Sequence, residues 1–224
     1  MKAFIDLDGP RFGCAAGEAK ELVILLHGLG ADGSDLIALA PLFARVLPDA
    51  AFVSPHAPFP CDMAPVGRQW FSFQNRDPEA VLAGVRAAAA HLDAFIDAEL
   101  ERFGLGDGRL ALVGFSQGSM MALHVALRRA RACAVVIAYS GAVVGSAVLP
   151  QEIQSRPPVL LVHGDADEIM PFQSMAEAEQ ALVGNDVPVQ TSARPGLGHG
   201  IDEAGIQLGC AALKDHLAAG VEAP

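Results

Sequence analysis

The feature that most constrains the fold of this chain is a serine between two glycines, placed where a strand-like run gives way to a helical pattern. Residues 114–118 read GFSQG, after the apolar run 110–113 and before a helical stretch starting near Ser119. A strand-to-helix turn of the form G-x-S-x-G pushes its serine, here Ser116, outward. Larger residues at 114 and 118 would clash with the neighbouring strand and helix. In a chain with 23 glycines the pattern could also be incidental, so the residues around it decide whether it indicates a catalytic serine.

Strand-like and helical segments alternate along the rest of the chain. Short apolar runs that favour strands lie at 3–7, 21–26, 51–53, 110–113, 133–139, 159–162 and 187–193. Helical periodicity is found at about 34–47, 77–104, 119–130, 172–183 and 206–217. Parallel neighbours in a sheet need such crossovers. We therefore expect an α/β fold with a mostly parallel central sheet and helices on both faces.

Several local signals refine this expectation. Asp77 and Pro78 are typical of a helix start, and Pro41 should bend or interrupt the helix that opens at Ser34 or Asp35. Residues 55–76 and 142–157 are expected to be irregular, and long loops inside compact domains are often functional. We expect one domain, 1–224, without a large cap domain, because only about 20 residues separate two neighbouring strands at 139 and 159.

The charge of the chain disfavours some classes of partner. With 15 basic and 26 acidic residues the net charge is −11, which disfavours binding to nucleic acid or to anionic membrane surfaces. No apolar run approaches the roughly 18 residues of a membrane span. Asp6 stands where a signal peptide would need its apolar region, so we expect a cytoplasmic protein. A homodimer is left open.

The cysteines predict no metal or disulfide site. Four cysteines are widely dispersed without a C-x-x-C pair, and this spacing favours free thiols. We expect neither a metal nor a cofactor.

A serine nucleophile needs a base, and three histidines follow Ser116. His216 lies on a predicted helix among leucines, and His163 precedes any acid, whereas this fold has the order serine, acid, histidine. His199 lies in the glycine-rich loop between the last strand and the last helix. That loop should lie at the carboxyl edge of the sheet, where open α/β sheets bind ligands. His199 is the predicted base.

The acid should follow the strand at 159–162. The loop there contains three carboxylates, Asp165, Asp167 and Glu168. A metal site is the alternative interpretation, but the alternating oxygen ligands of a calcium loop are missing. The residue pattern does not separate Asp165 from Asp167.

The glycine-rich loop after the strand 21–26 has two interpretations. Backbone N–H groups must stabilise the oxyanion of an acyl-transfer intermediate, one from the residue after the serine, Gln117, and one from an early loop such as 27–30. Residues 28–33 also match the dinucleotide-binding pattern G-x-G-x-x-G, with Asp49 as a ribose-binding acid. That alternative leaves Ser116, the acidic loop and His199 unexplained, so we favour the oxyanion loop.

Taken together, these motifs resemble the phospholipase/carboxylesterase family of α/β-hydrolases, which includes small bacterial carboxylesterases and acyl-protein thioesterases. The matching segments span most of the chain: HGLG at 27–30 with Gly33 and Asp35, RQWF at 68–71, GFSQG at 114–118, HG at 163–164 with Asp167 and Pro171, and GH at 198–199.

The resemblance implies roles that the residue pattern leaves open. It assigns the acid to Asp167, the oxyanion donors to Leu29 and Gln117, and substrate contacts to Trp70, Phe71 and Met170. For Trp70 the alternative is a core aromatic. Two departures from the family pattern are Met170, where valine is usual, and Ser119, where a second glycine is usual.

Two hypotheses follow for the function. The first is a metal-independent serine esterase in which Ser116, His199 and Asp167 hydrolyse short- to medium-chain carboxylic esters, or thioesters and lysophospholipids. Its substrate is a small-molecule ester. The second is a small-molecule-binding protein on a hydrolase scaffold, which the intact set of catalytic residues disfavours.

Overall fold

The computed structural model describes residues 5–218. Its strands are β1 (Arg11–Gly13), β2 (Glu21–Leu26), β3 (Ala50–Val53), β4 (Phe59–Pro60), β5 (Arg68–Gln69), β6 (Leu110–Phe115), β7 (Val135–Tyr139), β8 (Val159–Gly164) and β9 (Val189–Arg194). Its α-helices are α1 (Gly33–Leu36), α2 (Ala40–Phe43), α3 (Pro78–Phe103), α4 (Gln117–Ala126), α5 (Leu149–Glu152), α6 (Gln173–Val183) and α7 (Glu203–Leu217).

Seven strands form a central sheet in the order β1-β3-β2-β6-β7-β8-β9. All neighbours are parallel except β1, which pairs antiparallel with β3 at one edge. The chain first winds from β2 to β3 and then crosses back to β6 on the other side of β2. The loops after β2 and β6 therefore border the point where the winding reverses, which is the preferred ligand site of open α/β sheets.

Side chains of the central strands alternate between two apolar layers. In β2, Leu22, Ile24 and Leu26 face the layer covered by α3, α4 and α6, and Val23 and Leu25 face the layer covered by α1, α2 and α7. All six residues of β2 are buried, as a strand covered on both faces requires. The predicted α/β fold with helices on both faces is confirmed.

The helix signals at Asp77 and Pro41 are confirmed. The carboxylate of Asp77 accepts hydrogen bonds from the N–H groups of Glu79 and Ala80, and α3 ends at Gly104 with a φ of 68°. The stretch expected at 34–47 is interrupted: a 3₁₀ turn, Ile37–Leu39, separates α1 from α2, which has Pro41 in its first turn.

The opening strand expected at 3–7 is wrong where it can be assessed. Residues 3 and 4 lie outside the described residues, and residues 5–7 form no strand. The segment that follows borders the end of β3 through isolated hydrogen bonds, such as those from Ser54 N–H to Pro10 O and from His56 N–H to Asp8 O. Pro10 has no N–H to return such a bond, so a regular ladder starts only at Arg11.

Two segments expected to be irregular contain short elements. Residues 59–69 form the two-stranded ribbon β4–β5, and α5 lies within 142–157. Helix α4 also ends at Ala126, before the expected position near 130. Between β7 and β8 the chain has only α5 and its flanking loops, so this segment adds no cap domain at the carboxyl edge of the sheet. Within residues 5–218, no helix is long and apolar enough to cross a membrane.

Candidate active site

Ser116 lies at the tip of the turn between β6 and α4, and close packing at the two glycines forms this turn. A Cβ atom at Gly114 would lie 2.5 Å from the backbone of Gly118, and one at Gly118 would lie 1.9 Å from the carbonyl oxygen of Leu26 in β2. Ser116 itself has a φ of 54°, a strained conformation for a residue with a side chain. Its N–H donates to Tyr139 O at 2.9 Å, which ties the turn to the end of β7.

Three side chains predicted from the sequence meet beside this turn. His199 Nε2 lies 3.0 Å from Ser116 Oγ, and His199 Nδ1 lies 2.7 Å from Asp167 Oδ2. A carboxylate only accepts, so Nδ1 carries the ring proton and the free Nε2 accepts from the serine hydroxyl. In this arrangement His199 can accept the proton of the Ser116 hydroxyl, and the Asp167 carboxylate can stabilise the resulting imidazolium.

Asp167 is held as a buried carboxylate. Its Oδ1 accepts hydrogen bonds from the N–H groups of Ile169 and Met170, each at 2.9 Å. Burial favours the neutral acid, but the hydrogen bonds from His199, Met170 and Ile169 outweigh burial and lower the pKa of Asp167 below its ordinary value. Asp167 is therefore charged at neutral pH and can balance a protonated His199.

The loop after β8 and the loop carrying His199 are linked to each other. The N–H of Ala166 donates to Leu197 O at 3.0 Å, and Gly196 N–H donates to Asp165 Oδ1 at 2.7 Å. Asp165 therefore supports the histidine loop, whereas Asp167 contacts the histidine ring. In the described part of the chain, no group of three or more His, Cys, Asp or Glu side chains is arranged to hold a metal ion.

Two residues that the sequence analysis did not assign also contact this set. The ring of Phe115 packs against the ring of His199, with centroids 4.8 Å apart. His163 Nε2 donates to Met170 O at 2.9 Å and lies 3.3 Å from Asp167 Oδ2. Both contacts restrict the catalytic candidates, and neither follows from a local sequence pattern. His216, which was rejected as the base, lies exposed on α7.

Two backbone N–H groups border Ser116. Gln117 is the first residue of α4, so its N–H has no partner inside the helix. The N–H of Leu29 donates to no acceptor among residues 5–218. A Cβ atom at Gly28 would lie 3.4 Å from Ser116 Cβ, which shows how closely the early loop approaches the serine. Leu29 and Gln117 thus lie on the two segments that flank Ser116.

The loop 28–31 is a tight turn. The N–H of Ala31 donates to Gly28 O at 3.3 Å, and Gly30, the third residue, has a φ of 81°. This is the pattern of a type II turn, which needs a positive φ at its third position and therefore favours glycine there. The ribbon holds the turn, because Gly30 N–H donates to Arg68 O and Arg68 N–H donates to Ala31 O.

The dinucleotide alternative does not fit this geometry. Asp49 precedes β3, which runs parallel to β2, so Asp49 lies at the opposite edge of the sheet from the glycine loop that follows β2. Its carboxylate pairs with Lys20 at 2.7 Å. A ribose-binding acid would have to lie at the same edge as the loop.

The three residues expected to contact substrate lie beneath or beside the site. Trp70 has no exposed surface and Phe71 is 2% exposed, so Trp70 occupies the core position given above as its alternative. Gln117 links these residues to the turn that carries Ser116, because its side chain accepts from Trp70 N–H at 2.8 Å and donates to Phe71 O at 2.7 Å. Met170 is partly buried against the core. Substrate contacts by Trp70, Phe71 and Met170 stay predictions.

Residues 8–218 match the family described as Phospholipase/Carboxylesterase. The chain belongs to this family. Esterase YpfH of Escherichia coli (strain K12) is 30% identical over 199 residues, which cover 89% of this chain and 82% of that protein. The similarity therefore extends over nearly the whole fold, and the protein is a hydrolase of the carboxylesterase type.

Solved structures of similar proteins share this architecture. Esterase PE8 superimposes with a TM-score of 0.90 at 40% identity, covering 95% of this chain and 100% of the PE8 chain. SOBER1 of Arabidopsis thaliana superimposes with a TM-score of 0.76 at 26% identity, covering 88% of this chain and 99% of its own. The resemblance predicted from the motifs is confirmed.

Ser119, a departure from the family pattern, is accommodated by a neighbouring glycine. The Ser119 hydroxyl oxygen lies 2.7 Å from Gly114 O and 2.8 Å from Tyr139 O, so its single O–H is shared between these two carbonyl oxygens. A Cβ atom at Gly141 would lie only 2.3 Å from Ser119 Cβ. Ser119 and Gly141 therefore form a pair in which only one member can carry a side chain.

We expect Gly141→Ala to destabilise the protein by about 1–3 kcal/mol, because two backbone-attached atoms would overlap in a packed core. Ser119→Gly introduced into the same chain should recover stability, since it removes the opposing Cβ. Urea denaturation of the two single variants and the double variant measures this as a double-mutant cycle. Simple additivity of the two single changes would contradict the predicted contact.

Proposed function

We propose that this protein is a serine carboxylesterase that hydrolyses short- to medium-chain carboxylic esters through an acyl-enzyme intermediate. The observation that carries the proposal is the continuous chain of hydrogen bonds from Ser116 through His199 to Asp167, with distances of 3.0 and 2.7 Å. Nucleophile, base and orienting acid stand in the order and geometry that serine hydrolysis requires. No metal or organic cofactor enters the proposed reaction.

In the acylation step, Ser116 Oγ attacks the carbonyl carbon of the ester while its proton passes to His199 Nε2. The electron pair of the carbonyl bond moves to oxygen, and the N–H groups of Leu29 and Gln117 stabilise that charge. When the carbonyl re-forms, the alcohol leaves with the proton that His199 held. The acyl group is then bound to Ser116 as an ester.

Deacylation repeats these steps with water as the nucleophile. His199 removes a proton from water, the hydroxide attacks the acyl carbon, and the same two N–H groups bind the second oxyanion. Ser116 leaves and takes the proton from His199, and the carboxylic acid is released. Asp167 holds the imidazolium in both half-reactions, which its lowered pKa supports because the carboxylate stays charged.

The proposed substrate is a small-molecule ester that enters the site directly from solvent. The proposed enzyme is a single domain, 1–224. Ser116 and His199 are both partly exposed at the sheet edge, and the segment between β7 and β8 contributes only a four-residue helix. YpfH and PE8 are named esterases, which favours oxyesters as the first class to test. Thioesters and lysophospholipids are the second class.

The proposal is tested by reacting the protein with a fluorophosphonate probe and by measuring hydrolysis of matched oxyesters and thioesters with acyl chains of two to twelve carbons. We expect stoichiometric modification of Ser116, located by mass spectrometry, and the highest kcat/KM for chains of short to medium length. Absence of both labelling and turnover would overturn the proposal in favour of a binding protein. Labelling elsewhere than Ser116 would reject the assigned nucleophile.

A further inference from the structure

His27 is a fully buried histidine that directly precedes the proposed oxyanion loop. Its Nε2 accepts the N–H of Ala57 at 3.0 Å, and its Nδ1 lies 2.7 Å from Gly28 O. The Ala57 N–H can only donate, so Nε2 is unprotonated and the ring proton is on Nδ1. His27 therefore donates to the carbonyl of Gly28. Burial lowers the pKa of His27, which keeps the ring in this neutral form.

The carbonyl that His27 binds belongs to the peptide bond between Gly28 and Leu29. The residues described contain no cis peptide bond, and in a planar trans peptide the N–H points away from the C=O. Holding Gly28 O towards the His27 ring therefore directs the Leu29 N–H to the opposite side. The approach of Gly28 to Ser116 places this peptide beside the nucleophile.

Further contacts hold the backbone of His27 and the turn that follows it. Trp70 Nε1–H donates to His27 O at 3.0 Å, and the two rings lie with centroids 5.8 Å apart. Gly28 O also accepts from Ala31 N–H within the turn, at 3.3 Å. A hydrogen bond to a peptide oxygen also polarises that peptide, which makes its N–H a stronger donor.

We propose that His27 is a positioning residue of the oxyanion hole: its Nδ1–H fixes and polarises the Gly28–Leu29 peptide so that the Leu29 N–H is aimed at the developing oxyanion. The inference rests on the proposed esterase function and adds a specific task for a residue outside the catalytic set. The alternative is that His27 only fills space and stabilises the fold.

Two substitutions separate these roles, because each keeps one of the two ring hydrogen bonds. His27→Asn places an amide N–H near the position of Nδ1 and can still donate to Gly28 O. His27→Gln places its terminal amide near the position of Nε2, where it can accept from Ala57 N–H but cannot reach Gly28 O. Both remove the ring, so loss of packing is similar in the two variants.

We expect His27→Gln to lower kcat about 10- to 100-fold with little change in KM, a partial form of the loss seen when an oxyanion donor is removed. His27→Asn should have a kcat at least about ten times that of His27→Gln, although thermal melting should show both variants to be destabilised. The Ki of a trifluoromethyl ketone inhibitor, whose adduct carries an oxyanion, should rise in His27→Gln in parallel with the loss of kcat/KM.

Equal losses of kcat in the two variants, or losses that follow thermal stability alone, would overturn the positioning role. A full kcat in folded His27→Gln would do the same. Failure of the underlying function is recognised separately, because then the wild-type protein shows no Ser116-dependent hydrolysis and no Ser116 labelling.

Discussion

Replacing Ser116 with alanine is expected to lower kcat for p-nitrophenyl butyrate by about 10⁶-fold, the loss typical of removing the nucleophile of a serine hydrolase. The hydroxyl hydrogen-bonds to His199 at 3.0 Å and is the proposed site of the covalent acyl intermediate. Without the hydroxyl, His199 could only activate a water molecule, and the bound ester is oriented for attack by Ser116 rather than by water. Steady-state rates at several enzyme concentrations give kcat, and the fluorophosphonate probe should no longer label the protein.

The fold should not change, which makes this substitution a clean test. Ser116→Ala leaves the backbone hydrogen bond to Tyr139 O in place and removes only a partly exposed hydroxyl. Ser146→Ala, in an exposed loop, is a matched control that should retain wild-type rates. Turnover above about one per cent in purified Ser116→Ala would show that another group is the nucleophile.

Asp167→Asn is expected to lower kcat by about 10⁴-fold while the protein stays folded. An amide can present its N–H₂ group to His199 Nδ1, and the ring then takes the tautomer that carries its proton on Nε2. That tautomer cannot accept the proton of Ser116. The negative charge that stabilises the imidazolium is lost as well, in a side chain that has no exposed surface.

Asp165→Asn is the matched control, because it makes the same chemical change two residues away. Asp165 Oδ1 accepts a hydrogen bond from Gly196 N–H, and asparagine keeps an oxygen that can accept it. We expect kcat within about threefold of wild type, measured with the same ester. Equal losses in the two variants would mean that the loop needs its charge as a whole, and a larger loss in Asp165→Asn would reverse the assignment.

Local patterns predicted most of the scaffold. The apolar run 21–26 is a fully buried strand, and Asp77 caps α3 as its spacing predicts. The same reasoning failed at residues 5–7, where a short apolar run resembles a strand but forms none. Pro10, which follows it, has no N–H to donate to a ladder, so regular pairing starts only at Arg11. It also missed the ribbon β4–β5, whose two-residue strands are too short to leave a periodic signal.

Some features of the candidate site could likewise be predicted from local patterns, and others could not. The turn around Ser116 and the position of His199 in a loop can be predicted from the spacing of residues along the chain, because both depend on neighbours in sequence and on strand direction. The choice between Asp165 and Asp167 does not, since the two carboxylates are two residues apart in one loop. Their directions depend on contacts with the loop 195–199, which lies about thirty residues away and binds Ala166 and Asp165 through its backbone.

The sequence by itself determined the fold class, the serine turn and the order of the candidate nucleophile, acid and base, because steric limits and hydrophobic periodicity act between near neighbours. The residue pattern left Asp165 and Asp167 open, and the resemblance implied Asp167. Only the tertiary structure shows that Asp167 contacts His199 and that the His27 ring hydrogen-bonds to Gly28 O, in the peptide that Gly28 forms with Leu29. These contacts join loops that meet solely because parallel strands end at one edge of the sheet. Hydrogen bonds of this kind depend on directions in space, which no local pattern encodes.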